Sequence, residues 1–229
     1  MIVPLVLEDE WLVALEDLPV WAPPPMPFVV LAPHPDDETL GAGGLIAAHC
    51  LHGREVVVVA ATDGESAYGY DPVLGRIRES EQRNALAHLG VPGENIIRLR
   101  LPDSDVASHE ARLVDKLLPF VTKETHLVAP WRGDFHPDHE ACGRAAEWVA
   151  FRTGAMLTSY FFWTWHRGTT ASLDKGALCS FPLNQRHLQS KSEALQCHRS
   201  QLKHHSGEPI LPDNLLAPAR RPFEVFCIS

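Results

Sequence analysis

Four short apolar runs constrain this chain more than any other feature. They are FVVLAP from Phe28, EVVVVAAT over 55–62, IIRLRLP from Ile96 and HLVAP over 126–130. The first two, short and without polar alternation, suit strands buried on both faces, and the other two read as further strands. A helical pattern follows each. Glu38 to His52 is closed by Gly53, residues 74–89 are followed by Gly90, ARLVDKLLPFV should end or kink at Pro119, and EACGRAAEWVAFR follows the fourth run. Strand and helix alternating in this way predict an α/β domain: a parallel sheet, right-handed crossovers and helices on both faces. Beyond residue 155 the rhythm weakens. MLTSYFFWTW is expected to be another strand, NQRHLQSKSEALQCHRSQLKHH a helix, and RRPFEVFCI a closing strand of the same sheet. Residues 1–27 contain WAPPPMP, which is neither helix nor central strand. They are read as an N-terminal extension draped on one domain over 28–229.

Composition narrows the classes of function. Among 229 residues, 45% are hydrophobic, enough for an ordinary core. Lys plus Arg is 20 against 29 Asp plus Glu, a net charge of -9. That balance argues against a nucleic-acid partner. No apolar run reaches the roughly 18–20 residues of a transmembrane segment. Five cysteines without a CxxC pair, and an N-terminus that makes a poor signal peptide, read as a reduced, cytoplasmic protein. The number of subunits is left open.

Two segments carry the chemistry. Ala32-Pro33-His34-Pro35-Asp36-Asp37-Glu38 sits where the first strand gives way to the first helix, the edge at which open α/β sheets bind ligands. Adjacent carboxylates there call for positive charge, from the helix N-terminus and from a metal ion. Asp134-Phe135-His136-Pro137-Asp138-His139-Glu140 follows the fourth strand and opens on the same edge. His and Asp are ligands for zinc, and two His with one carboxylate leave positions free for water and substrate.

APHPDDE followed by HPDHE resembles the LmbE-like, or PIG-L, family of zinc-dependent N-acetylglucosamine deacetylases. Thr62-Asp63-Gly64-Glu65, Arg78-Glu79-Ser80-Glu81, Leu101-Pro102-Asp103, Lys191-Ser192-Glu193-Ala194-Leu195 and His198-Arg199-Ser200-Gln201 extend the resemblance over roughly residues 28 to 205. The resemblance implies a Rossmann-like three-layer sandwich and a substrate that is a small-molecule N-acetylated amino-sugar conjugate. It implies zinc held by His34, Asp37 and His139, with Fe(II) as the other metal such a set accepts. Asp36 becomes the general base for the attacking water. His136 stabilises the oxyanion as an imidazolium or protonates the leaving amine, and Asp138 orients a neighbouring histidine. Arg78 and Asp103 match positions that contact sugar hydroxyls. Some members carry Tyr where this chain has Asp134.

Blander readings stand beside these. His34 to Asp37 could be a helix cap with an acidic first turn. Arg78 and Glu81 could form a surface ion pair. Asp63 and Asp103 could close turns. Trp163, Trp165 and His166 are more often core than a sugar wall, and His198, His204 and His205 suit a charged helix surface. Gly41, Gly43 and Gly44 follow the helix start, unlike a dinucleotide fingerprint, and suit close helix–sheet packing. Two other functions remain in view. One is a two-His-one-carboxylate Fe(II) oxygenase, which usually sits on an all-β barrel; the other is a sugar-binding module of the same fold without catalysis.

Overall fold

The structure, a computed structural model, describes residues 3–203 and 207–228. Helix α1 (Glu8–Leu15) precedes β1 (Phe28–Ala32). The alternation continues with α2 (Asp37–Leu51), β2 (Val56–Ala60), α3 (Pro72–His88), β3 (Ile96–Arg98), α4 (Glu110–Leu117), β4 (His126–Pro130), α5 (Pro137–Thr153) and β5 (Met156–Tyr160). The one-turn helix α6 (Thr164–Arg167), β6 (Leu178–Pro182), α7 (Gln185–Leu195), the short helices α8 (Arg199–Leu202) and α9 (Asp213–Leu216), and β7 (Phe223–Ile228) follow. All seven strands join one sheet in the order β3-β2-β1-β4-β5-β7-β6. The first five run parallel, and β7 is antiparallel to both β5 and β6. The expected α/β class with a mostly parallel sheet is what the chain forms, so the all-β barrel of the oxygenase alternative is absent.

The unbroken apolar runs reflect two cores, one on each face. Val29 and Leu31 of β1, with Val59, pack toward α4 and α5. Phe28, Val30 and Ala32, with Val56 and Val58, pack toward α2, α3 and α7. Successive strand side chains point to opposite faces, so a strand covered on both needs apolar residues at every position. Gly53 ends α2 with φ +69°, a conformation that favours glycine. Inside α2, a Cβ on Gly41 would collide with the Tyr160 ring, which is the close helix–sheet packing expected of these glycines. Pro119 does end α4, which passes into a 3-10 turn over Leu118–Phe120.

Strand order sets the position of the site. From β1 the sheet grows one way through β2 and β3, and the other way through β4 and β5. The reversal leaves a crevice outside the carboxyl ends of β1 and β4, where no crossover covers the edge. Both His-Pro-Asp motifs leave from those two ends.

Several elements depart from expectation. The third run is regular strand only over Ile96–Arg98; Arg100 adopts φ +51°, while Leu99 and Leu101 on either side still donate to Ala60 O and Ala61 O at 2.9 Å. MLTSYFFWTW is a strand only to Tyr160; the N–H groups of Phe162, Trp163 and Thr164 then turn onto the Asp134 carboxylate. The helix over 184–205 breaks after Leu195 and resumes over Arg199–Leu202. His198, at that break, is buried and neutral, held at about 3 by burial and by Arg78. It therefore contradicts the charged-surface reading, while His204 and His205 lie outside the described residues. Strand β6 and helix α1 had no clear sequence pattern.

The segment before β1 makes specific contacts. Trp11 is buried; its Nε1 donates to Trp165 O at 3.0 Å, and the two rings meet edge-to-face at 5.1 Å. Arg221 donates two bonds to the Glu8 carboxylate, at 2.6 and 2.8 Å. Backbone bonds between Pro19, Trp21 and Ser180 cover the exposed edge of β6, which would otherwise be open to pairing. Trp11→Ala is expected to lower the unfolding free energy by about 3–5 kcal/mol in urea titration. An unchanged midpoint would mean that the segment contributes nothing to stability.

Two buried histidines at the opposite, amino end of the sheet link stability to pH. His49 stacks on Phe28 at 3.6 Å, and His126 Nε2 lies 2.7 Å from Thr158 Oγ1. Burial holds both at about 4, below the ordinary 6.5. The unfolded chain therefore binds protons that the native state refuses. Their contribution is whole above pH 6.5 and is lost as the pH falls toward 4. His49→Phe, which keeps a flat ring on Phe28, should flatten the fall in Tm across that window; an unchanged slope would place the acid sensitivity elsewhere.

Candidate metal centre

The first motif is shaped by the turn from β1 into α2. Pro33 O accepts from Thr62 Oγ1 at 2.8 Å, and Pro35 O from Gln201 Nε2 at 2.7 Å. Asp36 occupies the cap position of α2 and Asp37 its first turn, where the helix N-terminus favours negative charge. In the second motif, Phe135 turns the chain with φ +55°, His136 caps α5, and Pro137 takes the first helical position that suits proline. Asp138 and His139 then reach back to His34 and Asp37 of the first motif.

One oxygen gathers two imidazoles and a backbone N–H. Asp37 Oδ2 lies 3.0 Å from His34 Nδ1 and 3.1 Å from His139 Nε2, and accepts from the His34 backbone N–H at 2.8 Å. Ligand atoms of His34, Asp37 and His139 all fall within 4.8 Å of one another, and all three residues are buried or nearly so. His139 Nε2 is buried without a hydrogen-bond partner despite its approach to Asp37. An orphaned imidazole nitrogen facing a carboxylate and a second imidazole is a donor set that fits a divalent metal. Burial favours neutral His34 and His139, but the surrounding carboxylates outweigh it and raise both, His139 to about 9. The same rings hold Asp37 far below the usual carboxylate range against the effect of burial.

Asp36, Arg78, Asp103 and His136 line a cavity of about 240 Å³ together with His34 and Asp37, and Asp138 lies behind it against His34. Asp36 is pushed up to about 6 by burial and by the charge of Asp37, while Arg78 Nη2, 3.7 Å away, opposes the shift. Arg78 is no surface residue. It is buried, donating to Gly64 O at 2.8 Å and to Gln201 Oε1 at 3.0 Å, while Glu81 accepts from Ser200 instead. Asp103 accepts from Ser66 N at 2.7 Å and lies 3.2 Å from His34 Nε2. Asp138 meets the same ring nitrogen at 3.1 Å and accepts from Ser104 and Val106 N–H.

Burial and the neighbouring His34 and His139 lower His136 to about 4, which favours the neutral ring over the imidazolium expected of it. Its Nδ1 accepts from Asp138 N at 3.3 Å, so Nε2 carries the proton. The carboxylate behind His139 is Asp134, with Oδ2 2.9 Å from Nδ1. The aromatic segment divides. Trp165 and His166 are core, whereas Trp163 lines the cavity, stacked at 5.6 Å on His136 with the Arg167 guanidinium over its ring. The contacts of Gln201 with Pro35 and Arg78, and of Asp134 with the turn over 162–164, were hidden from local pattern because they join distant parts of the chain.

Solved structures share this architecture. N,N'-diacetylchitobiose deacetylase from Pyrococcus horikoshii superposes with a TM-score of 0.65 at 20% identity, over 98% of this chain and 87% of that one. The family model described as PIG-L: GlcNAc-PI de-N-acetylase matches residues 29–150, more than half of the chain, and the chain belongs to that family. It is 32% identical over 163 residues to the 1D-myo-inositol 2-acetamido-2-deoxy-alpha-D-glucopyranoside deacetylase of Mycolicibacterium gilvum (strain PYR-GCK), covering 57% of this chain and 56% of that protein. It is 31% identical over 134 residues to the probable N-acetyl-alpha-D-glucosaminyl L-malate deacetylase 2 of Bacillus subtilis (strain 168), covering 54% and 60%. The chain thus spans little more than half the length of these curated relatives. Among the described residues, no helix is long and apolar enough to cross a membrane.

Removing His139 should cost more zinc affinity than the roughly 10–100-fold typical of changes behind a ligand. Asp36→Ala should leave zinc uptake close to wild type. Competition with a chromophoric chelator measures both, and equal loss in the two variants would contradict this division.

Proposed function

We propose that the protein is a metal-dependent hydrolase that removes the N-acetyl group from an N-acetylglucosamine-type sugar conjugate, releasing acetate and a free amine. The observation that carries this reading is the convergence of His34, Asp37 and His139, with the orphaned His139 Nε2, beside a raised Asp36. The inositol and malate conjugates named for the relatives supply the substrate class. Zinc is the metal proposed, with Fe(II) as the alternative for the same ligands. Such a metal, held by His34, Asp37 and His139, would polarise the amide carbonyl and acidify water.

The chain's own groups supply the rest. Asp36, at about 6, is basic enough to take a proton from the attacking water and acidic enough to return it to the leaving nitrogen. Arg78 keeps that carboxylate in place from 3.7 Å. As the carbonyl oxygen gains charge, the neutral Nε2–H of His136 donates to it, an interaction stronger in the transition state than in the substrate. Asp138 fixes the far side of His34. Asp103 uses part of its acceptor capacity on Ser66 and His34 and keeps the remainder for a sugar hydroxyl. Arg78 is proposed to meet the sugar on the same side. The cavity is smaller than the usual range of about 300–1,000 Å³ for a drug-sized ligand, so it suits a sugar while the rest of the conjugate extends outward.

Acetate release from GlcNAc–inositol and GlcNAc–malate conjugates, after loading with zinc or Fe(II), tests the proposal. Asp36→Asn should reduce turnover by about 10²–10⁴-fold with the metal retained. No release from a metal-loaded protein, or undiminished release by Asp36→Asn, would overturn it.

A further inference from the structure

Asp134 and His139 are both fully buried, and their contact is the shortest polar approach that His139 makes. Every polar group touching Asp134 is turned toward it as a donor. Its Oδ1 accepts from Thr164 N at 2.9 Å and from Thr164 Oγ1 at 2.6 Å. Phe162 N reaches both oxygens at 3.2 Å, and Trp163 N reaches Oδ2 at 3.2 Å. A carboxylate set among donors in this way is an acceptor only, so the imidazole nitrogen facing it bears a proton. When His139 is neutral, as a metal ligand has to be, its one proton sits on Nδ1 and Nε2 is left with its lone pair directed at Asp37.

We infer that Asp134 is a positioning residue for His139: it places the ring proton on Nδ1 and so presents Nε2 as a metal-binding atom. This rests on the reading of His139 as a metal ligand, and goes beyond it by assigning the group that selects the binding nitrogen. The turn over 162–164 is the anchor. With four of its donors on the carboxylate, Asp134 has little freedom to rotate, and the ring it holds shares that rigidity. The same position in some family members is a tyrosine, whose hydroxyl could not accept this many bonds.

Asp134→Asn separates this role from that of a structural brace. Thr164 presents the shortest donors, so the amide oxygen should stay on that side and the amide NH2 should face His139. The ring must then accept through Nδ1 and carry its proton on Nε2, where it blocks the metal. Zinc affinity, read by chelator competition without any substrate, should fall about 10–100-fold. Thr164→Val removes the shortest donor from the same carboxylate but leaves its bond to His139, and should keep zinc affinity near wild type while lowering Tm. Wild-type affinity in a folded Asp134→Asn protein would overturn the assignment, as would zinc loss in both variants in proportion to their loss of Tm. If Asp134→Asn does not fold, 15N-histidine NMR of the zinc-loaded wild type decides. A hydrogen-bonded proton on His139 Nδ1 is expected, and a proton on Nε2 would refute the inference. Because none of these readouts needs turnover, a failure of the deacetylase reading would register separately, as absent acetate release.

Discussion

Four carboxylates, Asp36, Asp37, Asp103 and Asp138, are buried around one crevice, and the rest of the site follows from the cost of keeping them there. A buried carboxylate retains its charge only if cations or hydrogen-bond donors replace the water it has lost. Asp138 draws on the backbone N–H groups of Ser104 and Val106, and Asp103 on that of Ser66. Asp37 depends on His34 and His139. Asp36 has Arg78 at 3.7 Å and remains the least compensated of the group, which is why it alone rises toward neutral pH. A divalent cation at the junction of His34, Asp37 and His139 would complete the compensation, and it would do so beside Asp36, whose raised carboxyl lines the cavity.

The crevice holds this charge because a second layer of polar contacts fixes the surrounding backbone. Gln201 joins Arg78 to Pro35 O, so the C-terminal part of the chain holds the turn that carries His34 and Asp36. Lys191 donates to Leu40 O and to Glu224 at 2.6 Å, and Glu224 accepts from the N–H groups of Gly44 and Leu45. That buried pair ties α7 and β7 to α2, the helix whose first turn presents Asp37. Removing one partner would leave an uncompensated charge, so the pair specifies how these elements meet more than it adds net stability.

How much of this could be read in advance depends on the range of the interactions. Strands β1 and β4 were legible because double-sided burial requires an apolar residue at every position, which is a local signal. The two His-Pro-Asp motifs were legible because several reactive residues are packed into each. Asp134 was visible only as a departure from tyrosine; its contact with His139 spans five residues across a turn that Phe135 makes with positive φ. His198 and Gln201 resembled a polar helix face because the partners that draw them inward, Thr39, Pro35 and Arg78, lie far away in the chain. Short strands such as β6 depend on the pairing offered by β7 and by the segment before β1, and have little pattern of their own.

The same distinction separates the proposed chemistry from the choice of substrate. Every residue placed at the metal or beside it, from His34 to His139, lies inside the 29–150 span that matches the family model. The apolar side of the cavity comes from outside that span: Phe162, Trp163, Ile210 and Leu211, with Arg167 beside them. Those residues sit on the turn leading into α6 and on the segment before α9, neither of which belongs to the parallel half of the sheet. Substitutions there can reshape the cavity without moving the strand ends that hold the histidines. Asp134 is where the two parts meet, since one carboxylate binds both His139 and the N–H groups of the 162–164 turn. A change in the backbone of that turn would disturb the ring of His139 anchored to it, whereas a change confined to its side chains would reshape the cavity alone.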